Sequence, residues 1–215
     1  KGFATYFKER YHDIPENQQI SNLMIQEVDR LNRVVGQLHE FARPITISKK
    51  STNLRTLLEN SLKLIERQTF EENINIQTRF DTDIGDVRVD PDRINQVFLN
   101  LYLNAIESMK NGGDLKVWLL KNEEKNGIEI RIQDTGTGIS QEDLTHIFDP
   151  YFTTKHKSSM HNGTGLGLFI AYQNMQDHNG NIEVKSKVNE GSVFTLTLPV
   201  KDSDESSSSL NSRKA

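Results

Sequence analysis

A chain of 215 residues with no cysteine is long enough to bury one substantial core, and disulfides, thiolate nucleophiles and zinc–sulfur sites are excluded. Its 26 Lys and Arg against 30 Asp and Glu leave a net charge of −4, which removes the electrostatic basis for general nucleic-acid or anionic-membrane binding. No run approaches the roughly 18 apolar residues of a membrane helix. The opening Lys1-Gly2-Phe3-Ala4 is neither a signal peptide nor an initiator, so the expectation is a soluble piece of a longer chain.

The first element is a helix over residues 16–43. Ile20, Met24, Leu31, Val34, Leu38 and Phe41 follow the alternating three- and four-residue steps of a supercoiling seam, interrupted at Glu27. Arg43-Pro44 stops it, because proline lacks the N–H and disfavours helix in the residue before it. One narrow stripe cannot bury itself, so this helix is expected to pair with a short helix over 3–11, across the turn at Pro15, and with a second chain as a dimeric bundle.

A polar link leads to an amphipathic helix carrying Leu54, Leu57, Leu58, Leu62 and Ile65, then to a strand with Ile74, Ile76 and Phe80. Asp90-Pro91-Asp92 starts a further helix, with an acid at the N-cap and proline at the first helical position. It should run to about Lys110 and end at Asn111-Gly112-Gly113. Alternating strands are predicted over 115–120, 128–132, 182–184 and 193–198, with a helix over 166–176 between the two pairs. Six of the fifteen residues from 201 to 215 are serine, which predicts a disordered tail. The sum is an α+β sandwich, one sheet with helices on one face, divided into a helical region 1–46, a main domain 47–200 and a tail 201–215.

Three clusters carry chemistry. On the helix after Asp90, Ile94, Val97, Phe98, Leu101, Ala105 and Met109 form the core arc. Asn100 and Asn104 sit together at its edge, where their carbonyl oxygens suit a hard cation or merely form a polar rim. Asp134-Thr135-Gly136-Thr137-Gly138-Ile139 leaves the end of a strand. Its acid can accept an exocyclic amine while the glycines admit a flat ring, or the whole is an ordinary turn. Gly163-Thr164-Gly165-Leu166-Gly167-Leu168 opens a helix, placing N–H groups and the positive dipole end where a phosphate can sit. It lacks the lysine and Ser/Thr of a P-loop and the glycine spacing of a dinucleotide fingerprint. Between the last two clusters, Ile147-Phe148-Asp149-Pro150-Tyr151-Phe152-Thr153-Thr154-Lys155 and the polar run 156–162 read as a lid, or as a loop anchored by Phe148 and Phe152.

In this order the clusters resemble the N, G1, F and G2 boxes of the ATP-binding fold shared by gyrase, heat-shock chaperone ATPases, mismatch-repair ATPases and sensor histidine kinases. Asn100 to Ala105, Asp134 to Ile139, Phe148 to Phe152 and the 163–168 string look specifically like bacterial two-component sensor histidine kinases. The resemblance covers roughly residues 1–200, and the Pro150 to Lys155 stretch is similar to the nitrogen-regulatory and zinc-responsive subgroup. It implies a two-layer GHKL sandwich behind a helical hairpin that dimerises as a four-helix bundle, with ATP and Mg²⁺ bound. Asn104, with Asn100 directly or through water, would hold the metal. Asp134 would take the adenine amine in a pocket shaped by Gly136, Gly138 and Ile139. Gly163, Thr164, Gly165, Leu166, Gly167 and Leu168 would line the phosphates. Phe148, Phe152 and Thr153 would border the nucleotide; in the polar loop itself, Lys155 and Lys157 can reach a terminal phosphate or are simply solvated. Hydrolytic cousins carry a glutamate in place of Asn100. An amide cannot act as a general base, so the resemblance favours phosphoryl transfer to a histidine and relay to a response-regulator receiver domain. It also implies the cytoplasmic portion of a membrane-anchored sensor. The alternatives are a non-catalytic nucleotide-binding or dimerisation scaffold and an ATPase of the same fold. The acceptor histidine, followed by an acid and then a proline, is expected upstream of Lys1; His12-Asp13-Ile14-Pro15 only mimics it. His39, His146, His156, His161 and His178 show no metal spacing and read as surface or internally satisfied residues.

Overall fold

The chain divides into two compact units, Lys1–Ile45 and Thr46–Ala215. The computed structural model describes residues 47–122, 127–154 and 164–200, together with Ile20, Met24, Ile25 and Val28. The rest of the expected bundle, Lys155, the 156–162 run, Gly163 and the tail lie outside the described residues. Within the first unit Ile20, Met24 and Val28 are helical, and their four-residue spacing puts them on one helix face.

In the second unit, strand β1 (Lys50–Thr52) pairs antiparallel with β3 (Val87–Val89) as a two-stranded ribbon. Helix α1 (Leu54–Lys63) starts where Asn53 Oδ1 accepts the Thr56 N–H at 2.9 Å. Asn53→Ala should lower unfolding free energy by about 1 kcal/mol, the usual loss at an N-cap, as read by chemical denaturation. The apolar run that predicted one helix to Ile65 breaks at Leu64 and resumes as α2 (Glu66–Glu71). Strand β2 (Ile74–Phe80) follows, and after β3 comes α3 (Pro91–Ser108). Asp90 Oδ1 caps α3 by accepting from Asp92 N and Arg93 N. This helix stops two residues before the predicted Lys110, because Met109 leaves helical geometry and enters the core at 2% exposure.

The chain continues through β4 (Gly113–Asn122), β5 (Gly127–Asp134), the short α4 (Gln141–Leu144), α5 (Gly167–Asp177), β6 (Asn181–Lys187) and β7 (Gly191–Pro199). Five strands form one sheet in the order β2-β4-β5-β7-β6, parallel between β2 and β4 and antiparallel elsewhere. Its register stacks apolar rows across one face: Leu119, Ile130 and Leu196, then Val117, Ile132 and Phe194, all buried. Helices α1, α3 and α5 cover that face with Leu54, Leu58, Ile94, Phe98, Leu101, Ala171 and Met175. The opposite face carries Lys116, Arg131 and Thr195, so the domain is the expected two-layer sandwich.

Candidate functional site

The buried alternation of β5 runs Ile128, Ile130, Ile132 and, in the same phase, Asp134. A carboxylate therefore occupies the last core-facing position, in one row with Leu115 and Ser192. Asp134 is 4% exposed. Its Oδ1 accepts from Gly136 N at 2.9 Å and from Ser108 Oγ at 3.2 Å, and Ser192 adds backbone and hydroxyl donors. Burial pushes its pKa above the ordinary carboxylate value, and these hydrogen bonds offset only part of that. The loop after it is pressed tightly against its neighbours. A Cβ on Gly136 would lie 2.0 Å from Ser108 Oγ, and one on Gly138, at φ +67°, would lie 2.0 Å from the Lys187 carbonyl oxygen. Thr137 N donates to Ser108 O at 3.2 Å, and Ile139 N donates to Ser186 Oγ at 2.8 Å.

Helix α3 is the wall that these groups share. Its C-terminal Ser108 touches the Asp134 loop. Two turns earlier, Asn100 reaches the start of α5, where a Cβ on Gly167 would sit 3.6 Å from Asn100 Oδ1. Asn100 Nδ2 is buried and has no hydrogen-bond partner among the described residues. Asn104 lies one turn further along the same helix face and is half-buried. Leu166 occupies the N-cap of α5, and its side chain makes no cap hydrogen bond. Leu166 is buried and Leu168 partly so.

The aromatic segment is fastened to this glycine turn. Tyr151 N donates to Gly165 O at 2.9 Å, with Tyr151 at φ +66° and Gly165 at φ +69°. Phe148 packs on Tyr172 of α5 with ring centroids 5.3 Å apart, and Phe152 lies 5.8 Å from His146. Thr153 is exposed, and Thr164 Oγ1 accepts from Leu166 N at 3.3 Å. The structure thus brings Asn100, Gly167, Gly165 and the aromatic base together at the middle of α3 and the Asp134 loop at its C-terminal end, about 12 Å away by helical rise. Lys155 and Gly163 are outside the described residues. The groove of about 480 Å³ between α1 and β2, lined by Arg55, Glu59, Lys63, Ile76 and Phe80 among others, shares no residue with this site.

Sequence reasoning missed the serines. Ser108 and Ser192 bond the acid, Ser186 bonds Ser192 and Ile139 N beside it, and both Ser192 and Ser186 continue the alternation of their strands. Among the histidines, His178 is buried at 2% exposure with both ring nitrogens satisfied, while His146 is exposed and bonded to Asp149 at 2.8 Å. No group of three or more metal-ligating His, Cys, Asp or Glu occurs among the described residues.

Residues 89–202 match the sequence model of the histidine kinase-, DNA gyrase B- and HSP90-like ATPases, and the chain belongs to that family. Within the family, its relatives include the sensor histidine kinase ZraS of Escherichia coli strain K12, 40% identical over 200 residues, 93% of this chain and 42% of that protein. The chain thus spans less than half the length of this relative. Histidine kinase ThkA, solved in complex with the response regulator protein TrrA, superposes with a TM-score of 0.72 at 26% identity, over 93% of this chain and 56% of ThkA. Full-length ShkA, solved with AMPPNP, shares the fold with a TM-score of 0.73 at 21% identity, over 86% of this chain and 39% of ShkA.

Proposed function

We propose that this chain is the catalytic region of a sensor histidine kinase, which binds ATP and transfers its γ-phosphoryl group to a histidine for relay to a response-regulator aspartate. The observation that carries the reading is the wall of α3. It joins a buried acceptor, Asp134, to a phosphate-suited helix start at Gly167, with an unpartnered buried amide, Asn100, between them. Asp134 accepts the adenine amine, and Gly136, Gly138 and Ile139 shape the space for the ring. The α5 start, from Gly163 to Leu168, holds the phosphates. Phe148, Phe152 and Thr153 border them, and Lys155 reaches the terminal phosphate.

The carbonyl oxygens of two amides one turn apart suit Mg²⁺, a hard cation that keeps most of its ligands as phosphate and water oxygens. Asn104 would hold it, with Asn100 directly or through water, and it supplies charge neutralisation on the triphosphate. Asn100 has no basic oxygen to deprotonate water, so the site positions the phosphoryl group for a protein nucleophile. The same reading makes residues 1–46 a dimerisation helix region, 47–200 the catalytic domain and 201–215 a tail. The protein works as a homodimer with a receiver-domain partner. No described helix is long and apolar enough to cross a membrane, and the reading places any membrane anchor elsewhere in the parent protein.

Incubation with γ-labelled ATP, alone and with a dimerisation bundle bearing the His-acid-Pro motif, tests this. Acid-labile label should appear on the histidine of the bundle, with the chain itself unlabelled. Label at His12 would overturn the acceptor assignment, and steady phosphate release without any label would favour the hydrolytic reading.

A further inference from the structure

Helices α3 and α5 run antiparallel, and polar contacts join the first two turns of α3 to the last turn of α5. At one end Asp90 N donates to His178 Nε2 at 2.9 Å. Next, Arg93 Nη1 donates to Asn174 Oδ1 at 3.1 Å, and Asn174 Nδ2 donates to Gln96 Oε1 at 3.1 Å. At the start of α5 the packing is van der Waals in kind: a Cβ on Gly167 would sit 3.6 Å from Asn100 Oδ1, halfway along α3. From Asp90 to Asn100 is about 15 Å of helix and from Gly167 to His178 about 16 Å, so the two arms match and the contacts fall in register. Asp90 also receives Ser48 N on its other oxygen at 3.0 Å. The segment entering the domain is thereby tied to the same junction.

We propose that this polar zipper, latched by His178, is a positioning device for the nucleotide. It sets the spacing of Asn100 against the α5 phosphate end and relays to it the placement of the segment at Ser48. The proposal rests on the nucleotide-binding reading of that end. Asn174 O lies 2.6 Å from His178 Nδ1 and, as a carbonyl, can only accept, so Nδ1 carries the proton. The Asp90 N–H can only donate, so Nε2 must be bare. The latch therefore holds a neutral imidazole, and protonation would set two N–H groups against each other. Burial, the leading cause, lowers the His178 pKa and Lys49 adds to that, while the Asn174 carbonyl, Asp90 and Asp177 oppose it. His178 touches no nucleotide-facing group and acts only through α3 and α5.

Two amide replacements divide its contacts. His178→Asn keeps a donor near the Nδ1 position and loses the link to Asp90, whereas His178→Gln can carry an acceptor to the Nε2 position. Calorimetric titration of the 215-residue chain with ATP should show affinity roughly three- to thirty-fold weaker in His178→Asn, the range seen when a coupling network is cut, and close to wild type in His178→Gln. ATP itself takes up a proton at mildly acidic pH, so the pH readout is the ratio of wild-type to His178→Gln affinity. That ratio should hold through the ordinary imidazole range and fall by about twofold or more only at more acidic pH, because burial delays protonation of His178 and only the imidazole then loses its acceptor. Equal affinities and a flat ratio would overturn the proposal. Should His178→Asn fail to fold, the pH ratio alone decides. Should the wild-type chain not bind ATP, the nucleotide reading fails separately. The zipper is then judged on the side-chain amide resonance of Asn100 and the backbone resonance of Gly167, which must shift in His178→Asn and stay in place in His178→Gln.

Discussion

ATP affinity is expected to fall about tenfold to a hundredfold in Asp134→Ala while the domain stays folded. A hydrogen bond to a charged acceptor contributes about 1.5–3 kcal/mol, and in the proposed pose Asp134 is the charged acceptor of the adenine amine. Stability should move by a similar or somewhat smaller free energy, because two effects oppose each other. Burial raises the folded-state pKa of Asp134. Ionisation of this group therefore weakens the fold: its contribution is largest at low pH and is lost as pH rises through the folded-state value. Alanine removes that buried charge, which favours the fold, and also strips the acceptor from Gly136 N and Ser108 Oγ, which disfavours it. A net loss of about 1–2 kcal/mol at neutral pH follows. Asp134→Asn is the sharper companion. Its side chain can either accept or donate, so the preference for ATP over GTP should shrink as well as the affinity. Titration of both nucleotides, with denaturant melts of the same samples, reads all of these effects. Unchanged ATP affinity in a folded Asp134→Ala protein would remove this residue from the nucleotide contact.

Why Asp134 was legible and its serine partners were not comes down to phase and residue type. Ile128, Ile130 and Ile132 alternate strongly, and Asp134 keeps their phase. A carboxylate in the core phase at a strand end signals burial for a purpose. Ser192 and Ser186 keep phase just as well, with Phe194 and Val184. Small hydroxyl residues beside a turn are ordinarily turn chemistry, though, so their periodicity carries little weight. The α3 core arc was readable because long amphipathic helices repeat often enough to define a face, whereas Tyr102, fully buried with its hydroxyl beside Ser61, sits off that arc. The β1–β3 ribbon was hidden because three residues cannot establish a period of two. The bond between Asp90 and His178 spans 88 positions, and no local pattern announces a contact made by the packing of two helices.

The glycine turn before α5 should tolerate substitution poorly, and Gly165→Ala is expected to reduce ATP binding by more than about tenfold. Gly165 sits at φ +69°, and a Cβ there would lie 2.4 Å from the Tyr151 carbonyl carbon, 2.6 Å from its oxygen and 2.7 Å from its Cα. All three are backbone atoms, so no rotamer change relieves the contact. A left-handed non-glycine residue costs about 1–2 kcal/mol, and overpacking adds about 1–3 kcal/mol. The chain can escape only by parting Tyr151 N from Gly165 O, the bond that fastens the aromatic segment to the helix start. The damage is thus spent on the site and not on the apolar rows of the sheet, which Gly165 does not touch. Thermal midpoints should fall by about 2–4 °C for each kcal/mol that this local opening leaves unrelieved, while affinity collapses. Gly85→Ala is the matched control: nothing lies within 4 Å of its added Cβ, and stability should hold or rise by up to about 1 kcal/mol with affinity unchanged. Equal behaviour of the two variants in ATP titration would show that the tight seat of Gly165 against Tyr151 plays no part in holding the nucleotide.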